Sequence, residues 1–351
     1  MNANTNILKG LARNWATVFL LFMGVVFSFL TGTAFLSVTN IQNIFHLAVT
    51  SFLLAAAQTF VIITGGIDLS IGFIMGLTSV LAAVIMQGLI AAGLPTVWVV
   101  IIACLVALAV SLLPGLVNGI IITRFQVPPF IATLGMWGIT AGIALKLSEG
   151  MPVGGLPDIL TQIGNSYLIY IHPGHGFTFF AKPEGLPDSQ IRDLIRLVPM
   201  SFLFLAVVLT VLGFLLARMK FGRHTYAIGG SVDAAVRSGI PVDKHLIRVY
   251  MLSSLLAGLA GIFNIFQTGI GNYTTFNAMY ELFAVAAVVI GGASLMGGKG
   301  KLLGSMVGVL VLAVLENGLA ISGVEPFYRY IAVGVLLIVA VVIDGVFPDL
   351  F

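Results

Sequence analysis

The sequence predicts an all-α polytopic membrane protein that crosses the bilayer about ten times. Hydrophobic residues make up 59% of the 351 residues and charged residues only 8%, whereas about a quarter of the residues are charged in ordinary soluble domains. Apolar stretches of about 20 residues, the length that crosses roughly 30 Å of hydrocarbon, recur along the chain. A soluble fold cannot bury so much apolar surface, so we expect residues 1–351 to form a single transmembrane domain of helices.

The predicted spans follow the apolar stretches in order. The first runs from Trp15 to about residue 36, which is long enough for a transmembrane helix and too long for the core of a cleaved signal. The others are expected at 45–64, 70–90, 96–122, 129–147, 199–217, 246–268, 280–296, 302–322 and 327–344. The single cysteine, Cys104, lies inside one of these stretches and excludes an intrachain disulfide.

Lys and Arg are distributed unevenly around these spans. With both termini inside, eleven of the 16 basic residues fall in inner segments, and the short outer loops 36–45, 86–96 and 268–279 contain none. The positive-inside rule therefore predicts cytoplasmic N and C termini. Because the basic residues are scattered, the net charge of +3 does not indicate nucleic-acid binding.

Residues 148–198 form an expected external loop insertion. The segment carries most of the outer charges and five prolines, at positions 152, 157, 173, 183 and 187. Its apolar stretch Tyr167–Ile171 is too short to cross, so we expect it to lie in the interface or to cap the outer mouth.

Residues 218–245 form the long basic segment between two apolar spans, and they are expected to be a cytoplasmic coupling loop. Within the loop, residues 232–238 favour one or two helical turns, with glycine hinges at Gly229, Gly230 and Gly239 and a stop signal at Pro241. A polar helix held at one membrane face is a docking site for a soluble partner.

Two glycine-rich breaks, 64–72 and 290–301, separate neighbouring spans. Both are expected to leave helix ends near the inner membrane level, where protein or a water-filled cavity must satisfy the backbone groups. Small residues four apart, such as Ala257 with Gly261 and Gly304 with Gly308, predict close helix packing.

Polar residues within or near the spans are the candidates for a translocation pathway or its gating. Asp68 either caps the helix that follows the first break or contacts solute. Glu281 is expected to open a span near the outer face, as a helix-start carboxylate or a pathway residue. Glu316 lies deeper and must face a partner, a cavity or a subunit interface. Gln58 and Asn118 suit either hydroxyl-bearing solutes or hydrogen bonds between helices.

The motifs of enzymes and cofactor sites are missing from the sequence. His172 and His175 are loosely spaced and have no acidic or cysteine partner nearby, so a metal site is not expected. The run GGKGK at 297–301 lacks two P-loop features, because Ala293 and Gly300 stand where glycine and Ser or Thr are needed. We therefore expect no cofactor in this chain and no enzymatic activity of its own.

Several motifs in the same order resemble the ribose-type permeases of bacterial ABC importers. The motifs are ITGGIDLSIG (63–72), PPFIATLG (128–135), FGRHTYAIGGS (221–231) with SGI (238–240), and GGASLMGGKG (291–300) with NGL (317–319). The resemblance covers residues 40–345 and departs from the family at Ser231, Phe283 and Glu316.

The resemblance implies a multi-pass inner-membrane protein with several partners. These partners are a second permease subunit in a homodimer or heterodimer, a cytoplasmic ABC ATPase and an extracytoplasmic solute-binding protein. It also implies that a coupling helix within 229–240 sits in the ATPase, with contacts from Gly229, Gly230, Ser231, Ala234, Ala235, Ser238 and Gly239.

The leading hypothesis is therefore the permease subunit of an ATP-driven importer for a monosaccharide or small polyol. A permease for a nucleoside or a branched-chain amino acid is the nearest alternative. An ion-coupled transporter is the competing class, because such carriers also use broken helices.

Overall fold

The computed structural model describes residues 14–172, 176–180, 194–273 and 279–346. Its helices are α1 (Trp15–Thr31), α2 (Val38–Ile63), α3 (Ile71–Ala91), α4 (Thr96–Arg124), α5 (Pro129–Leu147), α6 (Ile159–Gly164), α7 (Met200–Arg218), α8 (Lys220–Gly230), α9 (Val232–Arg237), α10 (Val242–Thr268), α11 (Tyr280–Ile290), α12 (Leu302–Ile321) and α13 (Pro326–Val346). Its strands are β1 (Tyr167–His172), β2 (Gly176–Phe179) and β3 (Ile195–Pro199).

The helical membrane fold is confirmed. In the described part of the chain, eight helices are long and apolar enough to cross a membrane: α1 with its short extension to Ala34, α2 to α5, α7, α10 and α12. Two shorter apolar helices, α11 and α13, lie where the eighth and tenth spans are expected. The termini lie outside the described residues, so their cytoplasmic location stays a prediction.

Helix α2 begins at Val38, seven residues before the predicted start at 45. Ser37 adopts an extended conformation and its Oγ accepts a hydrogen bond from the backbone N–H of Asn40 at 3.2 Å. This N-cap starts the helix in a polar stretch. The hydropathy pattern missed this start because the first turns of α2 are polar.

Helix α11 is shorter than the predicted span 280–296. It has 11 residues, which at 1.5 Å per residue is about 16 Å and roughly half of the hydrocarbon thickness. Gly291 ends the helix, and Gly292 follows with a φ of +88°. The expectation of a full span at this position is therefore wrong.

Helix α10 lies at the centre of the bundle and packs against α2, α3 and α4. Small residues allow these close approaches, as the sequence predicted. Gly261 lies against the backbone of α3 at Met75. In α12, Gly308 lies against the backbone of Ala287 in α11, and Gly304 lies against Gly291, the residue that follows α11. A Cβ atom at any of these three glycines would overlap a carbonyl oxygen.

The segment 148–198 contains an antiparallel sheet with strand order β2-β1-β3. Strand β1 holds the apolar stretch that we expected to cap the outer mouth or lie in the interface, so the all-α description applies to the membrane helices only. The segment joins the bundle through paired backbone bonds between Val153 and Gly271, 2.8 Å each, and through Gln42, whose Nε2 donates to the Arg196 carbonyl at 2.6 Å. His175 lies outside the described residues, so the His172–His175 pair stays untested.

Candidate functional site

The predicted coupling loop, 218–245, contains two helices that meet at Ser231. Helix α8 buries Gly222, Thr225 and Ile228 on one face. The backbone of Ser231 is extended, and its Oγ accepts a hydrogen bond from the N–H of Ala234 at 3.2 Å, which caps α9. The predicted short helix is confirmed to within one residue. The predicted hinge at Gly229 and Gly230 is wrong, because both residues close α8.

Helix α9 exposes most of its surface. Val232 is 50% exposed and Val236 is 57% exposed. Five residues of the predicted coupling set are also exposed: Gly230, Ser231, Ala234, Ser238 and Gly239. Ala235 is buried against Ile228 and Val242, so it anchors α9 to the rest of the loop and is not available to a partner.

The end of α8 lies against both glycine-rich breaks. The N–H of Gly298 donates to the Ile63 carbonyl at 2.8 Å. A Cβ atom at Gly229 would overlap that carbonyl oxygen and would lie 2.5 Å from the Gly298 nitrogen. A Cβ atom at Gly297 would lie 2.9 Å from the Gly229 oxygen and 3.0 Å from the Gly65 nitrogen. Backbone thus meets backbone here, without intervening side chains. We call this place the glycine contact.

Tyr226 adds a side-chain hydrogen bond beside the glycine contact. Its hydroxyl donates to the Gly300 carbonyl at 2.7 Å. Burial raises the pKa of Tyr226, so the hydroxyl keeps its proton at neutral pH. The break 290–301 therefore contacts α8 at two points, at Gly229 and at Tyr226.

Three of the predicted pathway residues form one buried network. Asp68 is fully buried, and its Oδ1 accepts hydrogen bonds from the Ser70 N–H at 3.0 Å and the Ser70 hydroxyl at 2.5 Å. Its Oδ2 accepts from the Ser253 hydroxyl at 2.8 Å. Asn118 Nδ2 donates to Ser70 Oγ at 3.1 Å. With its amide oriented to suit its neighbours, Gln58 pairs with the backbone N–H and carbonyl of Asp68 at 3.2 Å each.

This network joins α2, α4 and α10 around the start of α3. Both Gln58 and Asn118 are also fully buried, so neither lines an open path in this conformation. The structural role proposed for Asp68 fits these contacts, because its carboxylate binds a backbone N–H just before α3 begins. The sequence placed Ser70 beside Asp68 but gave no sign of Ser253, which is 185 residues away.

Glu281 lies in the first turn of α11, so the expected helix-start position is confirmed, and its side chain is buried. Its location near the outer face stays a prediction. Its Oε2 lies against Gly72, in the first turn of α3, and leaves no room for a Cβ atom there. That helix begins at the break expected near the inner membrane level. Trp137 Nε1 donates to Glu281 Oε1 at 3.4 Å. Glu281 Oε2 is buried with no hydrogen-bond partner among the described residues.

Glu316 lines a cavity of about 230 Å³ between α2, α11, α12 and α13. The polar residues of its wall are Ser51, Tyr280, Glu316, Asn317, Arg329 and Tyr330. A smaller cavity of about 60 Å³ shares Glu316 and Arg329. Glu316 was expected to face a partner, a cavity or a subunit interface, and within this chain it faces a cavity. Arg329 was not among the pathway residues predicted from the sequence.

Comparison with known proteins identifies the family of this chain. Residues 40–341 match the family model described as branched-chain amino acid transport system / permease component. The ribose import permease RbsC of Bacillus subtilis is 35% identical, over 92% of this chain and 90% of that protein. RbsC of Escherichia coli strain K12 is 34% identical, over 89% and 87%.

The xylose transport permease XylH of Haemophilus influenzae is 34% identical, over 91% of this chain and 92% of that protein. No solved structure shows a significant match. Family model and relatives each cover most of the chain, and the apolar helices agree with a multi-pass membrane protein. The chain therefore belongs to the family of transport-system permease components that this model describes.

Proposed function

We propose that this chain is the membrane subunit of an ATP-driven importer for a monosaccharide or a small polyol. A second permease chain, a cytoplasmic ATPase and an external solute-binding protein complete the transporter. The nucleotide binds to the ATPase. The permease changes between outward-open and inward-open states as the ATPase closes and opens.

The glycine contact is the observation that carries this proposal. An exposed helix, α9, continues from α8, and the last turn of α8 touches the breaks after α2 and α11. Movement of α8 and α9 must displace those breaks, because the backbones leave no slack between them. The coupling loop is thus built to pass a push from a soluble partner into the membrane helices.

The solute class is proposed from the relatives. The names of several relatives specify ribose or xylose, whereas the family description specifies branched-chain amino acids. We favour a sugar because relatives covering about nine-tenths of this chain are named for one.

The proposal is tested by disrupting the surface of α9 alone. In vesicles containing the complete transporter, Val236→Asp places a charge on the exposed face and is expected to abolish solute-stimulated ATP hydrolysis and uptake of D-ribose or D-xylose. Val198→Asp, the same change at a residue 37% exposed on β3, is the matched control and keeps both activities. Stimulated hydrolysis that persists in Val236→Asp contradicts the coupling role. Uptake that survives removal of ATP but stops without an ion gradient would favour the ion-coupled class.

A further inference from the structure

We propose that the cavity around Glu316 contacts the solute during transport and that Glu316 and Arg329 together select neutral, hydroxyl-rich molecules. The inference rests on the proposed function, since it assigns residues to the path that the importer needs. It concerns the side of the molecule away from the coupling loop, so it can be tested separately.

The cavity holds two opposite charges between apolar helices. Glu316 lies in the second turn from the end of α12, and Arg329 lies in the first turn of α13. A charge in hydrocarbon is costly, and such residues face a cavity, a partner group or water. Arg329 Nε is buried and has no hydrogen-bond partner among the described residues. A donor without an acceptor, in the wall of a cavity, is a position that a solute oxygen can satisfy.

The other wall residues suit the same chemistry. Ser51 and Asn317 offer neutral donors and acceptors, and Asn317 is held by a reciprocal amide pair with Asn40, 3.0 Å for each bond. The rings of Phe283 and Tyr330 stack with centroids 6.5 Å apart and give the wall a flat apolar surface. A sugar has both a hydroxyl rim and apolar C–H faces, and it can use both kinds of surface.

The two opposite charges in the wall predict a preference for solutes without net charge. A carboxylate accepts hydrogen bonds from hydroxyl groups, and a guanidinium donates to their oxygens. Both interactions are charge-assisted and therefore stronger than those between neutral groups. An anionic solute gains from Arg329 but is repelled by Glu316, and a cationic solute has the opposite conflict. A molecule without net charge can use both residues. A zwitterionic amino acid can also do so, through its ammonium and its carboxylate, so the choice of a hydroxyl-rich solute rests on the neutral polar wall residues Ser51 and Asn317 and on the sugar names of the relatives.

The cavity is also connected to the coupling loop. Tyr280 opens α11, and the other end of that helix, at Gly291, lies against Gly304. Gly291 begins the break whose residue Gly298 meets Gly229. Since α11 is a short, stiff helix, displacement of the break moves Tyr280 in the cavity wall. The site can therefore change shape as the ATPase acts.

The first experiment compares uptake with ATP hydrolysis in vesicles containing the complete transporter, with radiolabelled D-ribose and D-xylose. Glu316→Gln and Arg329→Gln are each expected to reduce uptake roughly tenfold or more, the loss that follows removal of a hydrogen bond to a charged group. ATP hydrolysis stimulated by the binding protein falls much less. Glu325→Gln, in the exposed turn between α12 and α13, is the matched control and transports normally. Unchanged uptake in the first two variants, or equal losses of uptake and hydrolysis, would overturn the inference.

The second experiment starts from a variant that keeps both charges and probes the cavity directly. The chain has one cysteine, so Cys104→Ser with Ala313→Cys places a single thiol in the cavity wall. D-Ribose is expected to slow its labelling by a small hydrophilic thiol reagent, whereas the anion D-ribonate is not. When Glu316→Gln is added, D-ribonate is expected to slow labelling of the thiol as well. When Arg329→Gln is added instead, D-ribonate is expected to have no effect on labelling. Equal protection by both solutes in every variant, or none in any, refutes charge selection. If wild-type vesicles show no ATP-dependent sugar uptake, the proposed function itself is wrong.

Discussion

The glycine contact can be tested with two adjacent glycines. Gly229 and Gly230 both lie in the last turn of α8 with ordinary helical φ values. A Cβ atom at Gly229 would overlap the Ile63 carbonyl oxygen and would lie 2.5 Å from the Gly298 nitrogen, whereas one at Gly230 would have nothing within 4 Å. Gly229→Ala and Gly230→Ala are therefore the same chemical change with and without an obstacle.

The size of the effect follows from the crowding. Cβ atoms in proteins essentially never approach other heavy atoms closer than 3.0 Å, whereas a Cβ atom at Gly229 would lie 1.7 Å from the Ile63 carbonyl oxygen. Gly229→Ala must therefore separate these backbones by more than about 1 Å, and such overpacking typically costs about 1–3 kcal/mol. Both variants gain about 1 kcal/mol of helix propensity from the loss of glycine, so this gain cancels in the comparison. If the crowding differs between the two transport states, a shift of about 1–3 kcal/mol changes their ratio roughly five- to 150-fold.

The assay measures sugar uptake per ATP hydrolysed, in vesicles with equal amounts of assembled transporter. Gly229→Ala is expected to reduce this ratio at least fivefold and to weaken stimulation of hydrolysis by the binding protein. Gly230→Ala is expected to differ from wild type by less than twofold. Equal behaviour of the two variants would show that the backbones at the glycine contact are not coupled, and the reasoning would fail.

Three further predictions concern other parts of the site. Ser231→Ala removes the N-cap of α9 and is expected to cost about 1 kcal/mol locally, which hydrogen exchange of the α9 amides would detect as faster exchange; unchanged exchange would contradict the cap. Asp68→Ala leaves the buried hydroxyl groups of Ser70 and Ser253 without an acceptor, which costs about 1–3 kcal/mol for each group. The melting temperature should therefore fall further in Asp68→Ala than in Asp68→Asn. Equal melting temperatures of the two variants would contradict the buried network. Gly72→Ala forces the carboxylate of Glu281 away, so it should impair transport in the wild type but much less in combination with Glu281→Ala. Additive losses in that pair would show that the two residues do not interact.

Much of the membrane fold follows from the sequence, because hydrocarbon imposes one rule on every span. Each stretch needs about 20 apolar residues and must satisfy its own backbone, and this rule located most of the helices to within a few residues. It failed where a different constraint applies. Helix α11 is half-length because it ends inside the bundle, where Gly291 lies against Gly304. A hydropathy pattern shows how apolar a stretch is, but it does not show where a helix stops within the bundle.

The site was harder to predict because its contacts join distant parts of the chain. The polar character of Asp68, Gln58 and Asn118 was visible, but their meeting point depends on how four helices pack. All three are buried in this conformation and line no open path. Arg329 near the start of a span looks like a topology signal. Only the cavity shared with Glu316 gives it another role.

Glycine at the glycine contact does more than leave room for the neighbouring backbone. A coupling loop joined to the bundle by side chains would lose part of its displacement to rotamer changes, since exposed side chains change rotamer within nanoseconds. At Gly229 the carbonyl of Ile63 and the amide of Gly298 are joined by a backbone hydrogen bond of 2.8 Å directly under α8. Backbone units are planar and stiff, so a displacement of α8 reaches the ends of α2 and α11 together. In the proposed importer, the two breaks that interrupt the membrane helices are thus the places where a push from the ATPase enters the bundle.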